Sequence, residues 1–165
     1  MSVISFVKKI TEKYLKEGKR INPSKAPTEL TDKNKGVFVT IKNSEKLRGC
    51  IGMIEPSGDL VEDLIDCTIS ACNDPRLEPV TKRELPDLSY EVNLINPIKK
   101  LKKDEKTNPE KEGLVVKADE KTGVLLPNLD GINSFEKQLR IAKRKAGIHS
   151  EDCEIYKFTT QKYHG

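Results

Sequence analysis

The sequence predicts an α+β fold, a mainly antiparallel sheet flanked by about three helices. Three observations carry that reading. Helical periodicity recurs in three stretches that stop at glycine or asparagine. Strand runs joined by turns outnumber strand–helix–strand crossovers. The length of 165 residues suits one domain, or one domain with a smaller inserted lobe, and buries ~70% of the unfolded surface without staples.

In chain order, Val3, Val7, Ile10 and Tyr14 keep helical spacing until Gly18 stops the pattern. Residues 22–35, with Pro23 and Pro27, read as a loop. The run GVFVTIK at 36–42 is β-branched and alternating, and Asn43-Ser44-Glu45 turns it into a second strand over 46–55. Asp59, with Glu62 three residues on, opens a helix whose stripe is Leu60, Leu64, Cys67 and Ala71. Asn73 is expected as its left-handed cap, and Pro75 prevents continuation. Strands follow at 88–96, 113–117 and 124–126, separated by a charged loop or edge at 99–111. Asn133 and Glu136 form the expected capping pair of a third helix, which carries Phe135, Leu139, Ala142 and Ala146 on one face and ends at Gly147. A single strand over 154–159 closes the chain.

Composition narrows the function classes. Thirty basic and 26 acidic residues leave a net charge of +4, a weak signal for nucleic acid. The N-terminal stretch carries Lys8, Lys9, Glu12, Lys13, Lys16 and Glu17, so it lacks the uncharged apolar run of a signal peptide. No run of about 18 apolar residues is present, so no membrane span is expected. Cys50, Cys67, Cys72 and Cys153 form no Cys-x-x-Cys pair, which points to a cytoplasmic protein with reduced thiols. The two histidines and dispersed cysteines give no metal-ligand spacing, and no fingerprint of a bound cofactor occurs.

The segment Leu47-Arg48-Gly49-Cys50-Ile51-Gly52 draws the chemistry to one place. Strand alternation puts Arg48, Cys50 and Gly52 on one face. A fixed cation beside a thiol favours the thiolate, while Gly49 and Gly52 mark close approach of a ligand or of another backbone, or else a bulge or tight bend. Asp74-Pro75-Arg76 follows the second helix on a stiff loop. Arg76 and Arg48 together suit a forked clamp on a carboxylate or phosphate, or else Asp74 pairs with one of them and fixes the loop. The basic face Lys137, Arg140 and Arg144 suits RNA, although no aromatics are interleaved.

These residues resemble the AMMECR family, named for the chromosomal region of Alport syndrome, mental retardation, midface hypoplasia and elliptocytosis. The hexapeptide at 47–52 carries the match. Asp74-Pro75-Arg76, Leu125-Leu126-Pro127, Lys145-Ala146-Gly147 and Tyr156-Lys157-Phe158 extend it over almost the whole chain. Two positions depart from the family pattern. Leu77 stands where an aromatic is usual, and the tryptophan common after Leu-Leu-Pro is absent, with Phe135 nearby in sequence. The resemblance implies two lobes with the hexapeptide near a cleft between them. It also implies an association with a Memo-like protein and a radical S-adenosylmethionine protein in a modification system.

Three functional readings follow. In the first, Arg48, Gly49, Gly52, Asp74 and Arg76 surround Cys50 in a binding site for an anionic small molecule or protein partner. In the second, Cys50 is an enzyme's nucleophile, activated by Arg48, with Asp74 or a backbone amide positioning substrate. In the third, the 137–145 helix binds RNA.

Overall fold

The computed structural model describes residues 1–165 and divides them into two compact units, one of Met1–Leu94 with Gln161–Gly165 and one of Ile95–Thr160. No helix is long and apolar enough to cross a membrane.

In the first unit, helix α1 (Val3–Glu17) starts where the Ser2 hydroxyl accepts from the Ser5 amide and ends where Gly18 turns left-handed at φ 66°. Two short 3-10 turns, Pro23–Lys25 and Thr28–Leu30, occupy the predicted loop. Strands β1 (Gly36–Asn43) and β2 (Lys46–Met53) form a hairpin whose two turn residues, Ser44 and Glu45, both have positive φ. That geometry suits the twist of the paired strands. Helix α2 (Leu60–Cys72) is capped by Asp59 as expected.

Its C-terminus differs from the expectation. Asn73 sits at φ −124°, not left-handed, because its side-chain amide donates to Tyr14 Oη and the Ile69 carbonyl. The Val80 amide instead reaches back to the Cys72 carbonyl. A 3-10 turn, Lys82–Asp87, then leads into β3 (Leu88–Ile95). The core packs α1 and α2 on the sheet through Phe6, Val7, Ile10, Val37, Val39, Ile41, Leu64, Ile65, Val92 and Leu94.

The second unit holds β4 (Lys99–Lys100), β5 (Gly113–Ala118), β6 (Lys121–Leu125), α3 (Phe135–Ala146) and β7 (Glu154–Phe158). Its small core joins Leu114, Val116, Leu125, Ala142 and Ile148. The N-cap of α3 is Ser134, which accepts from the Lys137 amide, so the expected Asn133–Glu136 pair is displaced by one residue. The predicted final strand is two strands, β7 and β8 (Thr160–His164). They join different sheets, one ordered β2-β1-β3-β8 and the other β4-β7-β5-β6. The fold is thus α+β, with two antiparallel sheets and three main helices.

Candidate functional site

The hexapeptide lies on β2, the outermost strand of its sheet. Pairing with β1 runs Phe38 to Gly52, Thr40 to Cys50 and Ile41 to Gly49, then slips so that Lys42 faces Leu47. Arg48 is the extra residue of a β-bulge. Regular alternation therefore holds from Gly49 onward and breaks at Arg48, which the bulge re-aims away from a simple shared face with Cys50.

Gly49 lets α2 come close. A Cβ at that position would lie 1.8 Å from the Ala71 carbonyl oxygen, so only a hydrogen fits. The last turn of α2 consequently sits against the strand, and the loop that follows reaches the strand edge. Gly52 has a Phe38 ring atom 2.3 Å from its would-be Cβ. Neither glycine leaves open space for a ligand where its Cβ would stand; what approaches Gly49 is another backbone, that of Ala71.

The Asp74-Pro75-Arg76 loop closes the exposed edge. The Cys50 amide donates to Asp74 Oδ2 at 3.0 Å, and Arg76 Nη2 donates to the Cys50 carbonyl at 3.3 Å. Arg76 also grips the same carboxylate, Nε to Oδ1 at 3.0 Å and Nη2 to Oδ2 at 2.7 Å, while its amide donates to Oδ1. An acid and an arginine thus supply the acceptor and donor that a neighbouring strand would have supplied. The Asp74 side chain is fully buried and that of Arg76 is 63% exposed. Arg76 holds the Asp74 carboxyl well below the usual carboxylate range, against the opposing effect of burial.

Arg48 is occupied elsewhere. Its Nε and Nη2 donate to the two oxygens of Glu84 at 2.6 and 3.1 Å, Nη1 to the Glu78 carbonyl and Nη2 also to that of Pro79. Glu84 additionally accepts from Asn43 Nδ2 and from the Thr81 amide, so the hydrogen bond from Arg48, ahead of these, draws its pKa down to about 2. The Arg48–Arg76 clamp is therefore not assembled as two free cations, because each arginine faces its own carboxylate. The Cys50 thiol is half-buried and accepts from Thr40 Oγ1 at 3.3 Å. Arg76 Nη2 reaches the Cys50 carbonyl, whereas the Arg48 guanidinium is turned to Glu84. Cys67 and Cys72 are buried, and desolvation raises their thiol pKa values to about 12 and 11.

A family model for AMMECR1 matches residues 4–163. The chain belongs to the AMMECR1 family. A Thermotoga maritima protein is similar at 38% identity over 94% of this chain and 92% of its own length. A Clostridium acetobutylicum relative is 41% identical over 91% of this chain, which spans only 33% of that longer protein. The crystal structure of an uncharacterized protein from Pyrococcus horikoshii superposes with a TM-score of 0.87 at 30% identity, covering 98% of this chain and 88% of that one.

Within this AMMECR1-family chain, the residue that sequence reasoning missed is Glu84. Its signal was present, since Thr81-x-x-Glu84 has the spacing of a capping box. Among the basic residues expected to touch RNA, Lys137, Arg140 and Arg144 lie on α3, and Lys145 donates to the Val124 carbonyl. His149 follows the α3 cap and His164 closes β8.

Asp74→Ala is expected to cost about 2–4 kcal/mol, because it strands the Cys50 amide and loosens Arg76. Denaturant unfolding measures the loss, and amide exchange at Cys50 should accelerate with it. Asp74→Asn, which keeps one acceptor oxygen, should cost less. An Asp74→Ala variant with wild-type stability would show that the fork does not hold the edge.

Proposed function

We propose that this AMMECR1-family protein is a binding module whose contact point is the strand edge at Cys50 and Arg76. Its ligand is an anionic group, a carboxylate or phosphate of a small molecule or of an acidic partner segment. One observation carries the reading. Asp74 and the Cys50 carbonyl fix Arg76 through Nε and Nη2, while Nη1 has no partner and the side chain is mostly exposed. A guanidinium held on one side presents a directed donor on the other. Because Asp74 offsets its charge, a simple anion should bind only in the ~1 mM range, worth about 4 kcal/mol. Arg48 acts as a positioning residue here, holding segment 78–84 against the hexapeptide. In keeping with the family resemblance, the bound group belongs to the substrate or a component of a modification system that includes Memo-like and radical S-adenosylmethionine proteins.

A second reading, with Cys50 as a nucleophile, draws on the hydroxyl of Thr40 donating to its sulfur. Site-resolved alkylation separates the two. Binding predicts that millimolar phosphate or acetate slows alkylation of Cys50 but not of Cys153, and that Arg76→Gln abolishes this protection. Absence of protection at tens of millimolar anion would discard the binding reading. The nucleophile reading predicts a Cys50 rate that resists acidification better than that of Cys153, with or without anion.

A further inference from the structure

Helix α3 spends its interior unusually. Its buried residues are Gln138 and Ala142, with Gln138 bonded to the Thr107 hydroxyl and the Glu112 carbonyl. The larger Phe135 and Leu139 stay half-exposed at the margin of the core. They lie one turn apart on the same side of the helix, and with Ile148 beyond the Gly147 cap they floor an open groove of about 540 Å³.

The rim of that groove is basic. Arg140, Lys143 and Arg144 line it, and none of their side chains makes an ion pair or hydrogen bond. Glu136, the acid of the same surface, is already paired with Lys106 at 2.6 Å. Three uncompensated cations therefore border an apolar floor, the pattern of a recognition surface more than of a solvated helix face.

We propose that this groove docks an acidic amphipathic segment of a partner protein. Two bulky apolar side chains of the segment, spaced one helical turn apart, would cover Phe135, Leu139 and Ile148. Carboxylates beside them would meet Arg140, Lys143 and Arg144, with Arg forks suited to bidentate contact. Nucleic acid satisfies the groove only in part. Phosphates would neutralise the cations and one base could stack on Phe135, but the aliphatic side chains of Leu139 and Ile148 would stay uncovered. The inference rests on the second unit and stands or falls separately from the reading at Cys50.

The test uses the full chain, immobilised, and a display library of random peptides as long as α3, 12 residues. Enriched peptides should combine at least two bulky apolar residues with Asp or Glu. Synthetic copies followed by fluorescence polarisation should weaken with added salt, and should lose about tenfold or more in affinity for a Lys143→Glu/Arg144→Glu variant. Leu139→Glu should abolish binding. Should that variant fail to fold, the exposed pair Arg140→Glu/Arg144→Glu takes its place. The proposal is overturned if no peptide is enriched, if the consensus is basic, or if the charge-reversed variants bind undiminished. It is equally overturned if a single-stranded RNA of the same length binds through these cations while no peptide does.

Discussion

Gly49→Ala should destabilise the first unit by about 3 kcal/mol or more, at the upper end of what overpacking costs. Thermal unfolding should then shift down by about 10 °C, since a chain of this size moves ~2–4 °C per kcal/mol. The new methyl would stand 1.8 Å from the Ala71 carbonyl oxygen and 2.8 Å from its carbon. Both are backbone atoms, so no side-chain rotation relieves the overlap. The last turn of α2 must lift off β2, and Asp74, three residues on, moves with it. Loss of helix docking therefore propagates to the bond between Cys50 and Asp74. Amide exchange at Cys50 should rise more than at Val92, in the middle of β3. Adding Ala71→Gly should not rescue stability, because the obstructing atoms remain. Rescue by that change, or wild-type stability of Gly49→Ala, would mean that α2 does not sit where the glycine places it.

What could be read in the sequence was local. Gly18 and Gly147 end their helices in left-handed conformations, and Asp59 caps α2, because each rule needs only neighbours a turn away. Asp74 and Arg76 were also legible as a pair, since a rigid proline holds them two residues apart. Long-range choices were hidden. The register slip at Arg48 depends on β1 as much as on β2, and periodicity within one strand cannot report it. The 154–164 run splits at Thr159 because its two halves join different sheets, which no local pattern encodes. That Arg48 is already paired could not be read locally, because its counter-charge comes from a residue 36 positions away. Ser134 and Asn133 are both good caps, and the choice between them turns on which side chain reaches the Lys137 amide.

Glu84→Ala is expected to cost about 3–5 kcal/mol, the price of leaving a half-hidden charge without its partner. Side chains of Arg48 and Glu84 are only 11% and 18% exposed, so water replaces the lost carboxylate only in part. The variant also frees the Thr81 amide and the Asn43 amide group, and the 78–84 segment loses its anchor on the hairpin. Urea unfolding of Glu84→Ala, Arg48→Ala and the double variant should give a double-mutant cycle with coupling of about 1–3 kcal/mol. The double variant should be less damaged than the sum of the two single ones. If Arg48 were instead a free ligand-binding cation, Arg48→Ala would lose anion binding without losing stability and the coupling would vanish. The same pair sets a pH response. The folded Glu84 carboxyl has a pKa near 2, below its ordinary value of 4.5, so it holds a proton less readily when folded than when unfolded. Its contribution is full above about pH 4.5 and drains away as pH falls toward 2. Asp74, depressed in the same direction by Arg76, adds to the loss at the acid end. Acid unfolding of the wild type should therefore steepen below pH 4.5, and Glu84→Gln should flatten that limb while lowering stability at pH 7. An acid limb unchanged by Glu84→Gln would show that the Arg48–Glu84 pair does not hold the hexapeptide in place.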